Sequence, residues 1–161
     1  MKYGLEPLLD NKTIVLILGS LPSDQSIIKN QYYGNPGNDF WKLLSESISF
    51  DLVNLSYYDR IHLLKENKIG LWDIYRSGER DRSLDSNILK PKLNDFSFIK
   101  KHYPTIKQIF LNGKKAGEME EYFRDIGFEV TVLPSSSGAN RKNGDFRQLA
   151  WKKISLLITK Q

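Results

Sequence analysis

The chain has 161 residues, 40% of them apolar, a formal net charge of +5 and no cysteine. That length and apolar share suit one domain with its own core and are too small for two ordinary domains. The missing cysteines exclude disulfides, thiol nucleophiles, zinc–thiolate sites and iron–sulfur clusters, and no apolar run reaches the length of a membrane span.

The first segment, MKYGLEPLLDNK, is interrupted by charges and does not read as a signal peptide. A soluble cytoplasmic protein, with residues 1–161 as one domain, is the expectation. TIVLILG (13–19) is a continuous apolar run with β-branched residues, as expected of a strand buried on both faces. DFWKLLSESI (39–48) has helical apolar spacing, with Asn38 or Asp39 near its cap, and YYDRIHLLKENK (57–68) repeats that pattern. IGLWD (69–73) is a second short strand, which opens into the polar run IYRSGERDRSLDS. DFSFIKKHY (95–103) reads as a helix stopped by Pro104, and IKQIFLN (106–112) as a third strand. Gly113 leads into a helix over 114–126, ended by Gly127; FEVTVLP (128–134) is a fourth strand, and residues 144–160 form a long amphipathic helix.

Strands alternating with helices predict an α/β fold: a three-layer αβα sandwich around a four-stranded, mostly parallel sheet. Ligands in such sheets bind beyond the carboxyl ends of the strands. Here the four exits read GSLPSDQS, DIYRSGERDRSLDS, NGKK and LPSSSGANRKNG, all rich in Gly, Ser, Asn, Asp or basic residues. They are expected to converge on one cleft, although loops are polar in any case. The modest positive charge permits nucleic-acid binding without establishing it. The two histidines, His62 and His102, lie in helix-like stretches without acidic or His partners at ligand spacing, so no metal is expected.

Three stretches carry candidate chemistry. In YYGNPGNDFW (32–41), Asn38 follows a turn signal at the mouth of a helix anchored by Phe40 and Trp41. A side-chain amide held there can orient a water; it can equally be a plain helix cap. In LPSSSGANRK (133–142), the hydroxyls of Ser135, Ser136 and Ser137 can meet phosphate beside Arg141 and Lys142, or form an ordinary Ser-rich loop. In LNGKK (111–115), Asn112 can bond a base edge, or simply close a strand–helix turn.

Taken in order, GSLPSDQS, YY, PGNDFW, GLWD with the following ER and SLDS, FLNGKKA and LPSSSGAN resemble the uracil-DNA glycosylase superfamily, most closely its hypoxanthine (deoxyinosine) branch. The ordered matches run from about residue 14 to 150. The resemblance implies a monofunctional DNA glycosylase, acting without cofactor as a monomer on DNA that contains a deaminated base. It implies that Asn38 positions the attacking water, because the loop after the first strand, GSLPS, carries no carboxylate or amide. It implies base contacts from Gly19, Ser20, Tyr33, Phe40, Asp73 and Asn112, with stacking on Phe40 or Tyr33. It also implies DNA contacts from Ser23, Ser135, Ser136, Ser137, Asn140, Arg141 and Lys142, with a residue among Ala139 to Arg141 filling the vacated gap. Asp73 falls where the uracil enzymes read the base edge with an Asn. An ionised Asp only accepts, which suits the N1–H of hypoxanthine and rejects the bare N1 of adenine. The sequence departs from the branch at Asn35, where a His is frequent, and at Gly37, where an Arg is frequent. Two other readings stand beside this one: a uracil or mismatch glycosylase, and a non-catalytic nucleic-acid-binding domain of the same fold.

Overall fold

The computed structural model describes residues 1–80 and 88–158. The predicted four strands form one parallel sheet of order β3-β2-β6-β7, with β2 at Val15–Gly19, β3 at Ile69–Asp73, β6 at Gln108–Asn112 and β7 at Glu129–Leu133. Along β2, Val15 and Ile17 enter one core while Leu16 and Leu18 enter the other. All four are at most 1% exposed, which is why the run shows no polar alternation. Each such side chain contributes about 1.5–3 kcal/mol by leaving water.

The first core lies under α2 (Phe40–Ile48), α3 (Tyr57–Glu66), α7 (Gly144–Trp151) and α8 (Lys153–Ile158). The second lies under α4 (Phe96–His102), α5 (Lys114–Gly117) and α6 (Glu120–Asp125). The three-layer αβα arrangement is as expected. Ser56 and Asp95 cap α3 and α4 by accepting the N–H groups of Asp59 and Phe98. The long helices predicted over 114–126 and 144–160 are each broken. In the first, Gly117 packs directly on Val132 of β7, and the chain turns there before α6. In the second, the chain kinks between Trp151, whose indole N–H reaches Pro134 O at 2.9 Å, and Lys153.

A second, three-stranded sheet of order β1-β4-β5 was not expected; it joins β1 (Lys2–Tyr3), β4 (Tyr75–Glu79) and β5 (Leu89–Leu93) in antiparallel pairs. The run after Asp73 is therefore a strand over 75–79 rather than a polar loop. Its buried Tyr75 and Ser77 alternate with exposed Arg76, and the alternation is hidden because the inward residue Ser77 is polar. Pro91 is tolerated in β5 because that strand is an exposed edge. A short helix, α1 (Asp24–Lys29), also went unpredicted; Ser23 caps it, accepting Ser26 N–H at 3.2 Å. Residues 81–87, which include the SLDS match, and the end of the predicted terminal helix lie outside the described residues.

Candidate active site

The four strand exits do converge. Gly19, Ser20 and Ser23 after β2, Asp73 of β3, Asn112 of β6 and Ser135 to Ser137 after β7 line one cleft of about 300 Å³, joined by Tyr33 and Asn38 from the loop before α2. That volume lies at the low end for small-ligand sites, about 300–1,000 Å³, and fits a single nucleobase better than a larger group.

Asn38 is placed by a turn that its own sequence builds. Asn35 Oδ1 accepts Gly37 N–H at 2.9 Å, and Asn35 O accepts Asn38 N–H at 2.9 Å. The Asn38 Oδ1 then accepts Phe40 N–H at 2.9 Å and the Ser136 hydroxyl at 2.8 Å. A backbone N–H can only donate, so this orientation of the amide is fixed. The Asn38 Nδ2 makes no hydrogen bond among the described residues, and Asn38 lines this cleft and a second one behind its loop. The amide oxygen is thus spent on the start of α2 and on Ser136, while the amide nitrogen stays unbonded among the described residues.

Asn112 is a brace. Its Nδ2 donates to Ser136 Oγ at 2.9 Å and to Tyr33 OH at 3.2 Å, and its Oδ1 accepts Ser136 N–H at 3.0 Å. Both amide hydrogens are spent internally, so Asn112 has none to offer a base edge. Gly113, at φ +97°, lets the chain turn against Ser135 directly after it; a Cβ there would lie 3.1 Å from Ser135 Cβ. Ser136→Ala removes the hub of the Asn112–Ser136–Asn38 chain and leaves a buried amide hydrogen unpaired. It is expected to cost about 1–3 kcal/mol, read by urea denaturation; a loss well under that would mean the chain is not a stabilising unit.

Asp73 is 5% exposed and closes over Gly19. A Cβ at Gly19 would sit 2.8 Å from Asp73 Oδ1 and 3.2 Å from Tyr33 OH, so only glycine fits between them. Tyr32, absent from the predicted site, lines the same cleft and donates to Glu6 O at 2.7 Å. Burial first, and the Asp73 charge second, push its phenol pKa up, so Tyr32 stays neutral. Arg80, also unpredicted as a site residue, is buried on the cleft wall and donates to Leu21 O and Pro22 O, holding the loop after β2.

Phe40 differs from its expected place. It is fully buried and does not line the cleft; Tyr33 covers it in a parallel stack, with centroids 3.7 Å apart and planes within 6°. Tyr33 itself takes a left-handed backbone, φ 53°, to lie there. Of the two rings, Tyr33 lines the cleft and Phe40 does not.

The loop over 135–143 is tied to the start of α2. Arg141 makes a two-pronged bond to Asp39, with Nε–Oδ2 at 2.8 Å and Nη2–Oδ1 at 2.9 Å, and also reaches Gly37 O at 3.2 Å. Buried Arg147 donates to Asp39 Oδ2 at 2.7 Å and to Ser135 O and Ser137 O. Asp39 N–H donates to Ser136 O at 2.8 Å. Asp39 and Arg147 were missed in sequence; their only local signal is the acidic residue beside Asn38. Asn140 is spent on Ser135 O, Ser137 caps the 3-10 turn over Gly138–Asn143, and Asn140, Arg141 and Lys142 stand outside the cleft.

The guanidinium of Arg141, with that of Arg147, holds the Asp39 carboxyl at about 2, below its ordinary 3.8. The folded value lies below the unfolded one, so this contribution is present above about pH 4 and is lost as pH falls towards 2. Between pH 4 and 2, wild type is expected to lose stability more steeply than Asp39→Asn, by up to about 2 kcal/mol since Arg141 is exposed to screening solvent. Equal slopes in acid denaturation would sink this assignment.

The histidines stay on the surface away from the cleft: His62 pairs with Glu66 at 3.0 Å along α3, and His102 packs on Phe98. No cluster of metal-ligating residues occurs among the described residues, and none of their helices is long and apolar enough to cross a membrane.

A parallel αβα sheet whose carboxyl edge holds a small polar cleft, walled by an amide and a buried carboxylate, defines a ligand-binding α/β protein. The profile of the uracil DNA glycosylase superfamily matches residues 7–155, and the chain belongs to that superfamily. It is 49% identical over 154 residues to a protein of Methanosarcina acetivorans named hypoxanthine DNA glycosylase, covering 96% of this chain and 98% of that one. A protein of the same name from Methanosarcina barkeri is 48% identical over 150 residues, covering 93% and 95%. A solution NMR structure of a uracil DNA glycosylase candidate from M. acetivorans superposes with a TM-score of 0.90 at 47% identity, over 98% of each chain.

Proposed function

We propose that the protein is a monofunctional DNA glycosylase that hydrolyses the N-glycosidic bond of deoxyinosine, releasing hypoxanthine. The observation that carries this reading is that a held amide, Asn38, and a buried carboxylate, Asp73, line one small cleft at the carboxyl edge of the sheet. The names of the two Methanosarcina relatives support the choice of base.

Duplex DNA lies across the carboxyl edge of the parallel sheet, and phosphate contacts position it. The target nucleotide leaves the stack, at a cost of a few kcal/mol that is least for a mispaired base. Hypoxanthine enters against Tyr33, and the Asp73 carboxylate accepts its N1–H. The glycosidic bond then lengthens, leaving positive charge on the sugar and negative charge on the base. Asn38 Nδ2 donates to a water and orients it towards C1′. Phe40 N–H and Ser136 Oγ hold that amide rigid, so no reorganisation is needed as the bond breaks. The water oxygen bonds to C1′ as the C1′–N bond breaks, its proton passes to solvent, the departing hypoxanthine anion takes up a proton from solvent, and an abasic site remains. Lys42 and Lys29, nearest along the Asn38 loop, line a different cleft, and no lysine among the described residues lines this one, which fits base release without strand nicking.

The test is base release from duplexes that each carry one hypoxanthine, uracil, xanthine or normal base, read by alkaline cleavage of abasic sites. Selective release of hypoxanthine is expected. Uracil release alone would keep the reaction and overturn the base assignment. Binding of every duplex without release would leave a nucleic-acid-binding domain.

A further inference from the structure

Behind the loop that carries Asn38 is a second cleft, of about 480 Å³ and larger than the base pocket. Tyr33, Asn35 and Asn38 line both clefts, so the loop is a shared wall. The far side is made by α2 and α3. Three cationic residues line it, Lys29, Lys42 and Arg60, against one carboxylate, Asp39, whose charge Arg141 and Arg147 already neutralise. Lys42 is exposed and has no protein partner among the described residues, while Lys29 spends its amine on Gly34 O at 2.8 Å.

The inner wall holds a more specific feature. Trp41 is 6% exposed, yet its Nε1–H has no hydrogen-bond acceptor among the described residues. A buried indole N–H normally finds a partner, and leaving it unmade costs free energy. Arg60 stacks over the Trp41 ring, its carbon 5.0 Å from the centroid, held there by Leu52 O and Val53 O. Burial pulls the Arg60 pKa down, a cost that an anion would offset. The cleft therefore holds a surplus of positive charge on Lys42 and Arg60, with Arg60 fixed in place over the Trp41 ring. That charge asks for an anion, and the place is one wall away from the amide assigned to C1′.

We propose that this second cleft binds the phosphodiester and sugar of a nucleotide adjacent to the extruded one, with Lys42 and Arg60 as donors. The proposal rests on the DNA glycosylase reading. Its consequence is that the strand is gripped on both sides of the Asn38 loop, so that a backbone contact fixes the distance from the anchored phosphate to the C1′ under attack.

The test uses a hypoxanthine duplex made uncleavable by a 2′-fluoro sugar, with flanking phosphates replaced one at a time by neutral methylphosphonates. Wild type is expected to lose about tenfold in affinity at one flanking phosphate. Lys42→Ala is expected to bind the unmodified duplex about tenfold more weakly, and then to lose nothing further at that same phosphate. Its affinity should also fall less steeply with salt, by about one unit of slope. Arg60→Gln removes the second cation of the cleft and should reproduce the insensitivity; its melting temperature verifies the fold. Equal losses in wild type and both variants at every phosphate would overturn the proposal. So would a wild-type melting temperature raised by inorganic phosphate in a Lys42-dependent way without any methylphosphonate effect, since the cleft would then hold a free anion. Base release by wild type from the unmodified cleavable duplex is scored separately, so failure of the reaction assignment is told apart from failure of this one.

Discussion

Replacing Asn38 by alanine is expected to lower the rate of base release by about 10²–10³-fold, the usual cost of removing a preorganised polar group from a reacting centre. The fold should survive. The Asn38 Oδ1 accepts Phe40 N–H and the Ser136 hydroxyl, and losing a cap of this kind costs about 1 kcal/mol. The substitution thus separates chemistry from stability: a small shift in melting temperature accompanies a large loss of rate. Asn38→Asp sharpens the point. Its Oδ1 can keep both internal bonds, while its second oxygen replaces a donor with an acceptor. That acceptor can still hold a water by one of its hydrogens, so Asn38→Asp should fall between wild type and alanine. Single-turnover kinetics on a hypoxanthine duplex would read all three. A near wild-type rate for a folded Asn38→Ala protein would move the water-positioning role elsewhere.

The second large effect is expected at Asp73. The carboxylate lies 5% exposed at the end of β3, and Gly19 has room for no Cβ beneath it. Asp73→Asn is nearly isosteric, so it tests charge and not packing. An anionic acceptor facing N1–H makes a charge-assisted bond, and it rejects an adenine N1 that also only accepts. The amide keeps an acceptor but gains a donor. Hypoxanthine release is expected to fall about 10–100-fold, and discrimination against adenine to narrow. Gly19→Ala should give a related loss by pushing Asp73 and Tyr33 apart, with base preference blurred and not exchanged. Unchanged preference in a folded Asp73→Asn protein would leave the carboxylate a structural group.

Much of this architecture was legible along the chain. The strands of the parallel sheet announce themselves because both faces are buried, so their residues are apolar without alternation; β3 lies where it was read, at Ile69–Asp73. Asn38 was legible as a candidate because a turn signal, an amide and an aromatic anchor lie within a few residues, though by those alone a helix cap is the favoured reading and only the family resemblance adds a site role. β4 was not, because its inward face carries Ser77 and the strand looks polar throughout. Phe40 was misplaced for a related reason. Sequence shows an aromatic beside Asn38 but not which side of it another ring will cover.

By itself, then, the sequence determined the layer order and the edge of the sheet at which Asn38 and Asp73 come to line one cleft. Those depend on local periodicity and on the rule that strand exits share an edge. Only the tertiary structure decided how these groups are held. Ser136 meets Asn38 across 98 positions, Arg141 meets Asp39 across 102 and Arg147 meets it across 108. Asn112 became a brace, and Trp41 was left facing a second cleft, through the same long-range packing. Contacts between residues so far apart leave no period or motif in the chain; they exist only once the sheet has brought the loops after β2 and β7 to one edge.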